Sequence, residues 1–545
     1  MSTAPIAQQG ARRALRVPAM SLGWIVFAIG VVCALVLAVP GQTITTKYVN
    51  DLFIFLDGAY RIFEGQVPNR DFHSSLGPLA FYLPAFGYAI TGSLGAAMPL
   101  GMGLATVFLA AIGAHLIGTR MRAVTGIPLA MFLLLIAAVS LNPGEGIADL
   151  SFAMFYNRLG WTAIGLLLVM YLPPQDWSRR QTALDALCAA LLTLFLLYLK
   201  ASYGLVALAF IIFMATDRQS RPWAIAALLA IAAAILLIEP FWRGTLTYFA
   251  DVQLAREVSG DIPDLVRLVT IALPNLADIA VFLVFTLLLL VVRRRFRDFL
   301  FLGFVGATGI LLIEQNFQIV GILTLAAGAS VVAELIARAA PPWARDGIGA
   351  GLPLLVAIMM VPVTVQNGAA LVLHAGLALG QKGEPITLPG YAGVRLAQLS
   401  NEGLYRNFSR YNQSLADGAV ALASLDTEVE RVVVFDFVGP FSAGLGLVPP
   451  RDDSPWYHWG RTLHDEVFPP ADEILADAKI IMEAKAPIEV WTANGMRRVY
   501  APYLDNNFTL ASESADWRIY VRKPSSTDGR LNTSNVRRQS TSAQP

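Results

Sequence analysis

Leu22-Gly-Trp-Ile-Val-Phe-Ala-Ile-Gly-Val-Val-Cys33-Ala-Leu-Val-Leu-Ala-Val-Pro40 carries no charge along its whole length. As a helix, such a run can cross about 30 Å of hydrocarbon, where helices satisfy their own backbone polar groups. Residues 184–199, 271–292 and 319–335 have the same character, each with one acidic residue. Across its 545 residues the chain is 56% hydrophobic and 14% charged, more apolar surface than one water-soluble core can bury. The expected fold is therefore mainly α, a polytopic bundle of membrane helices. Arg12, Arg13 and Arg16 precede the first run as they would a signal peptide, but the run is long and lacks a clear small-residue cleavage site. It reads as a retained first span.

Further spans are expected near 96–118, 124–142, 159–173, 181–199, 202–216, 223–240, 270–292, 298–313, 318–337 and 347–366, about eleven with the first. With that count the loops carrying Arg120 and Arg122, Arg179 and Arg180, Arg218 and Arg221, residues 293–297, and Arg338 and Arg345 all share the side of the basic N-terminus, as the positive-inside rule asks. Counting the short apolar segment 77–91 as a span would break that parity, so it is expected to be a juxtamembrane or re-entrant helix. The division that follows is a cytoplasmic segment 1–21 and a transmembrane domain 22–366 with a first outer loop at 41–95. Beyond these lie an extracytoplasmic α/β domain at 367–523 and a disordered polar tail at 524–545. Strand-like runs at 431–438, 479–482, 488–491 and 517–521 support the α/β reading. The expected location is the plasma or inner membrane, multi-pass, with the C-terminal domain on the outer (periplasmic) side.

Several chemistries find no footing. Cys33 and Cys188 lie in apolar stretches and read as small buried hydrophobes. No glycine-rich phosphate loop is present, no ligand constellation indicates a metal, and no cofactor is expected. The net charge of +1, with basic residues gathered in short loops between spans, gives no nucleic-acid footprint.

The polar matter concentrates after the first span: Asp51-Leu-Phe-Ile-Phe-Leu-Asp57-Gly-Ala-Tyr60-Arg61-Ile-Phe-Glu64-Gly65-Gln-Val-Pro68-Asn-Arg70-Asp71-Phe-His73-Ser-Ser-Leu-Gly77-Pro78-Leu79. Leu52, Phe55, Leu56, Ala59 and Phe63 recur at helical spacing, which predicts an amphipathic helix at the membrane surface, ended by Gly65 and Pro68. It brings Asp51, Asp57 and Glu64 to the lipid–water boundary, where a carboxylate can take a proton from a hydroxyl nucleophile. Asp51 at the helix start is also suited to capping, and Asp57 and Arg61, four apart, to a structural ion pair. His73 is either a phosphate- or metal-orienting group or an ordinary loop histidine.

An Asp soon after the first span, an amphipathic helix, Gly65-x-x-Pro68-x-x-Asp71-Phe72 and a Gly77-Pro78-Leu79 opening the next helix together resemble the membrane-embedded C-type (GT-C) glycosyltransferases, which include aminoarabinose and mannosyl transferase groups. Many spans, a long first outer loop and a soluble outer C-terminal domain are similar to that superfamily as well. The resemblance implies an inverting transfer from a polyprenyl-phosphate sugar to a glycan or glycolipid acceptor. A first-loop Asp would deprotonate the acceptor: Asp51 at the matching position, Asp57 as understudy, with Asp71 as the second acidic residue. Where one branch of the family has Pro-Pro-Leu, this chain has Gly77-Pro78-Leu79.

Other candidates sit at expected outer span ends. Tyr156-Asn157-Arg158 offers donors and a cation to a sugar phosphate, or anchors the interface by snorkelling. Lys200 and Arg243 are basic where the positive-inside rule disfavours it, as a leaving-phosphate contact would explain. Glu314-Gln-Asn316 forms a polar cap between apolar spans, and Trp456-Tyr-His458-Trp459-Gly-Arg461 offers aromatic faces to sugar rings or to the membrane domain. A lipid-linked glycan transporter or a non-enzymatic envelope assembly protein would share the span count. A transporter is expected to show repeated halves and matched broken helices, which this sequence does not.

Overall fold

The computed structural model describes residues 19–260, 265–316, 318–341, 348–399 and 401–524. Almost all of the expected N-terminal segment, Arg345 and all of the expected tail but Pro524 lie outside them. A helix covers most of each of the eleven expected spans among the described residues, with a break at 273–275 inside the one at 270–292. Among the described residues, seven helices are long and apolar enough to cross a membrane: Ser21–Ala38, Leu94–Arg120, Arg179–Leu199, Arg221–Trp242, Leu276–Arg293, Phe296–Gln315 and Gly351–Leu379. The other four are shorter: α5 (Ala123–Ala138), α6 (Phe155–Val169), α8 (Ala201–Ala215) and the helix Leu323–Ala339. Every residue of α6 is buried, so it runs through the middle of the bundle.

Small residues let the first two long helices meet. A Cβ at Gly30 of α1 (Ala19–Ala38) would stand 2.2 Å from the Ala110 Cβ of α4 (Leu94–Arg120), a close approach of the kind that drives helix association in lipid. The segment expected to be juxtamembrane forms α3 (Leu79–Thr91), 13 residues folded back on α4 and, at about 1.5 Å per residue, too short to span. Gly77, just before it, lies against the end of α7 (Arg179–Leu199): its amide donates to the Leu199 carbonyl at 3.2 Å, and a Cβ there would be 2.1 Å from the Tyr198 carbonyl oxygen. Gly77→Ala must therefore move backbone beside Lys200. We expect it to lower the melting temperature and to cost about 1–3 kcal/mol, the overpacking range, measured by thermal unfolding in detergent.

Two expectations about the loop and the domain change. The amphipathic helix α2 (Val49–Phe63) does not lie on a lipid surface. From Val49 to Arg61 all but two of its residues are buried, against α3 and α4 on one side and the C-terminal domain on the other, with the Phe53 and Tyr391 rings 4.8 Å apart. The last apolar helix also continues past the expected end at 366, running from Ile348 to Leu379 through Pro353 and Pro362, so the C-terminal domain starts later than 367.

That domain is tied to the first loop by a small sheet. Strand β1 (Thr43–Thr45) pairs in parallel with β3 (Val394–Leu396), which pairs antiparallel with β2 (Glu384–Pro385). The main sheet has the order β4 (Val432–Phe435), β5 (Ile480–Ala484), β7 (Trp517–Arg522), β6 (Phe508–Glu513). Alternation splits its residues: Val432, Val434, Ile480 and Met482 join the large core with the helix Glu402–Ala423. Val433, Phe435 and Ile481 face Met496, Tyr500 and Leu504 of the helix Val490–Asn507. Residues 488–491, expected to be a strand, instead start that last helix. Glu489 caps it, accepting from the Thr492 amide at 2.6 Å, and the local hydrogen bond outweighs the apolar β-like composition.

Candidate functional site

Tyr48, with a left-handed backbone (φ 56°), turns the chain into α2, so Asp51 falls in the first turn and not at the cap. Among the described residues its carboxylate has neither a hydrogen bond nor an ion pair. Burial pushes the carboxyl up, and the Arg461 guanidinium pulls it part of the way back, leaving it at about 7. Arg461 comes from the aromatic-rich stretch of the C-terminal domain. There Gly460, at φ 77°, allows a tight turn, the Arg461 amide donates to the His458 carbonyl at 3.0 Å, and the Trp459 amide donates to the Thr492 hydroxyl at 3.0 Å. The charge of Arg461 acts on Asp51, Tyr156 and Lys200 together.

Lys200 caps the end of α7 and holds its ammonium 5.4 Å from the centre of the Tyr156 ring. It donates to the Asn316 side-chain oxygen, and the Asn316 amide donates to the Tyr203 hydroxyl at 2.8 Å, so the lysine is aimed by a fixed chain of polar groups. Near Arg461, Arg267 pairs with Glu314 at 3.3 Å. A carboxylate at about 7 under the charge of Arg461, with Lys200 set against the same Tyr156 that Asp51 and Arg461 act on, is suited to accept a proton next to an anion.

The remaining candidates lie elsewhere. Asp57 is buried and taken up by Arg61 at 2.6 Å; Arg61 also holds Asp453 of the C-terminal domain through two bonds of 2.6 and 3.0 Å, and the Pro450 carbonyl at 2.8 Å. The ion-pair reading of Asp57 is the one the geometry matches. Asp71 accepts from the Val67 amide (2.8 Å), Arg70 (2.8 Å) and Arg451 (3.1 Å). Burial raises its carboxyl, but these donors together outweigh that and hold it below the usual range. His73 sits between Asp251 (2.9 Å) and Glu473 (3.3 Å); burial disfavours its charge, yet Asp251 more than restores it and raises the imidazole.

Asn157 is buried behind Tyr156 with both amide atoms unpartnered. Arg158 is wholly buried and braces the preceding loop, donating to Asn142 at 2.6 Å and to the Ala153 carbonyl at 3.0 Å, a bracing role in place of the snorkelling the sequence suggests. Arg243 is exposed in the turn that ends the helix Arg221–Trp242 and, among the described residues, bonds only locally, to the Pro240 carbonyl at 3.2 Å. Asp51, Tyr156 and Lys200 are thus brought together, while Asp57, Arg61, Asp71 and His73 form the seam between the first loop and its neighbours. Arg461 and Asn316 complete the cluster. Both stood in stretches that drew notice in the sequence, but nothing local pointed to Asp51 as their neighbour. Among the described residues no group of three or more His, Cys, Asp or Glu could hold a metal ion.

No known protein family matches the sequence, and no curated protein does. Among solved structures the chain is similar to the crystal structure of ArnT from Cupriavidus metallidurans in the apo state, with 13% identity, a TM-score of 0.45, and coverage of 91% of this chain and 97% of that one. At this level the likeness assigns no activity.

Proposed function

We propose that the protein is an inverting glycosyltransferase that moves a monosaccharide from a polyprenyl-phosphate donor to a hydroxyl of a glycolipid or polysaccharide on the outer side of the membrane, with Asp51 as general base. The observation that carries this reading is a carboxylate at about 7 under the charge of Arg461, with Lys200 against the Tyr156 ring that both of them act on. In the transfer, Asp51 takes the proton of the acceptor hydroxyl as its oxygen attacks the anomeric carbon. The bond from that carbon to the lipid phosphate breaks, and the phosphate leaves with the electron pair. A single displacement inverts the configuration. Lys200 and Arg461 are poised to meet the charge that develops on the leaving phosphate, and Asn316 keeps the lysine aimed. The polyprenyl chain would remain in lipid beside the bundle.

Purified protein in lipid, given a panel of radiolabelled polyprenyl-phosphate monosaccharides and membrane extract as acceptor, should transfer one label with inverted configuration. Lys200→Met should cost on the order of 10²-fold in kcat/KM, as loss of a transition-state cation does. Label that crosses the bilayer without leaving its lipid would instead identify a transporter, and the enzymatic reading would fail.

A further inference from the structure

A polar cavity of about 500 Å³ lies at the other end of α7 from Lys200. Asp185, fifteen residues before Lys200 and hence about 22 Å along the helix axis, pairs there with Arg120 at 2.6 Å. Arg120 lines the cavity together with Arg293, Arg295, Arg297 and Arg338, against only two lining acids, Asp217 and Asp298. With Asp185 on Arg120, the acids answer three of the five charges and leave Arg295 and Arg338 without an ion pair among the described residues. Asp298 takes the Tyr171 hydroxyl at 2.6 Å as well as Arg293 at 3.1 Å, and Asp217 stands 3.9 Å from Arg297. Arg338 spends its donors on the backbone carbonyls of Pro173 and Arg120. Arg295 is exposed, with no ion pair among the described residues.

The floor of the cavity is preformed. Tyr171 stacks on Phe301 with centroids 3.9 Å apart and planes 9° from parallel, and the Arg297 guanidinium lies 5.0 Å from the Tyr171 ring and 5.1 Å from Phe213. Arginine packed against aromatic rings loses little freedom on binding, and its fork matches phosphate oxygens. Trp177 on the lip is exposed, and next to the arginines Phe296 and Phe299 stack together on the outer, apolar surface of the bundle. A group seated among the arginines could therefore keep a hydrocarbon tail in lipid.

We infer that this cavity binds a phosphate group, and that an anionic membrane phospholipid supplies it. The adjoining apolar surface favours the lipid over a soluble phosphate, as basic pockets between membrane helices do for acidic headgroups. The inference does not depend on the transfer reaction, because it concerns the opposite end of α7 from Asp51.

The test is native mass spectrometry of the full chain titrated with phosphatidylglycerol or phosphatidylcholine, alongside thermal stability with inorganic phosphate, for wild type, Arg295→Gln and Arg297→Gln. Wild type should hold phosphatidylglycerol at least tenfold more tightly than phosphatidylcholine, and each variant should lose that preference while melting as wild type does in phosphatidylcholine. If Arg297→Gln does not fold, Arg295→Gln, whose side chain is exposed, carries the test alone. Stabilisation of wild type but not the variants by inorganic phosphate, without lipid preference, would keep the phosphate site and make its source soluble. Equal binding of both lipids with no response to phosphate, or a preference that survives in the folded variants, overturns the site.

Discussion

Asp51→Asn is expected to lower the transfer rate by about 10²- to 10⁴-fold while donor binding is retained, because asparagine keeps the size and hydrogen bonding of the side chain but cannot take the proton. Asp57→Asn should not reproduce this, since Asp57 is committed to Arg61. The pH profile gives a second reading of the same residue. Asp51 works as a base only when ionised, and its carboxyl stands at about 7. The rate should therefore fall about tenfold per pH unit below 7; burial also lowers the Lys200 ammonium to about 7, so loss of that cation should bring the rate down again at higher pH. Removing Arg461 takes away the charge that holds this carboxyl down, so Arg461→Gln should move the acid limb of the profile to higher pH. A bystander arginine would leave the limb in place. Near-normal turnover by Asp51→Asn would remove the general-base assignment altogether.

Arg61→Met should be the most destabilising single change in the first loop. Arg61 is buried, and its guanidinium answers two buried carboxylates, Asp57 and Asp453, that otherwise face a low-dielectric interior alone. Leaving such charges unpaired costs about 3–5 kcal/mol, which should appear as a large drop in melting temperature. The pH dependence follows from the direction of the shifts. Burial raises both carboxyls and Arg61 counters it; Asp453 rests at about 6 even with the arginine in place. Without Arg61 they rise further, so the folded state binds more protons than the unfolded one as pH drops from 7 toward 5. Arg61→Met should accordingly regain stability over that range. Asp57→Asn should cost less, because Arg61 keeps Asp453. Equal melting of wild type and Arg61→Met would mean that the seam between loop and domain is held by apolar packing alone.

The membrane bundle, the amphipathic helix after the first span and the odd placement of Lys200 were all legible from the chain, because each is written in local periodicity or local charge. Residues 488–491 misled for the same reason: their composition suits a strand, yet the Glu489 carboxylate, satisfying two amides, starts a helix. Arg158 and Arg243 show the limit of placing a basic residue by span end alone. One is buried as a brace and the other is turned out at a helix terminus, and only their surroundings distinguish them.

What the sequence by itself determined is the class of protein, because apolar runs long enough to cross lipid admit few other folds, and the neighbourhood of Asp51 as the place to look. Which of the first-loop carboxylates is left open was decided by the tertiary structure. Arg61 reaches Asp57 within its own helix but also Asp453, 392 residues away, and Arg461 reaches Asp51 from the same distant domain. Such long-range pairings depend on how β1, α2 and the C-terminal domain pack, and no local pattern encodes which charge will be neutralised and which will remain free to act.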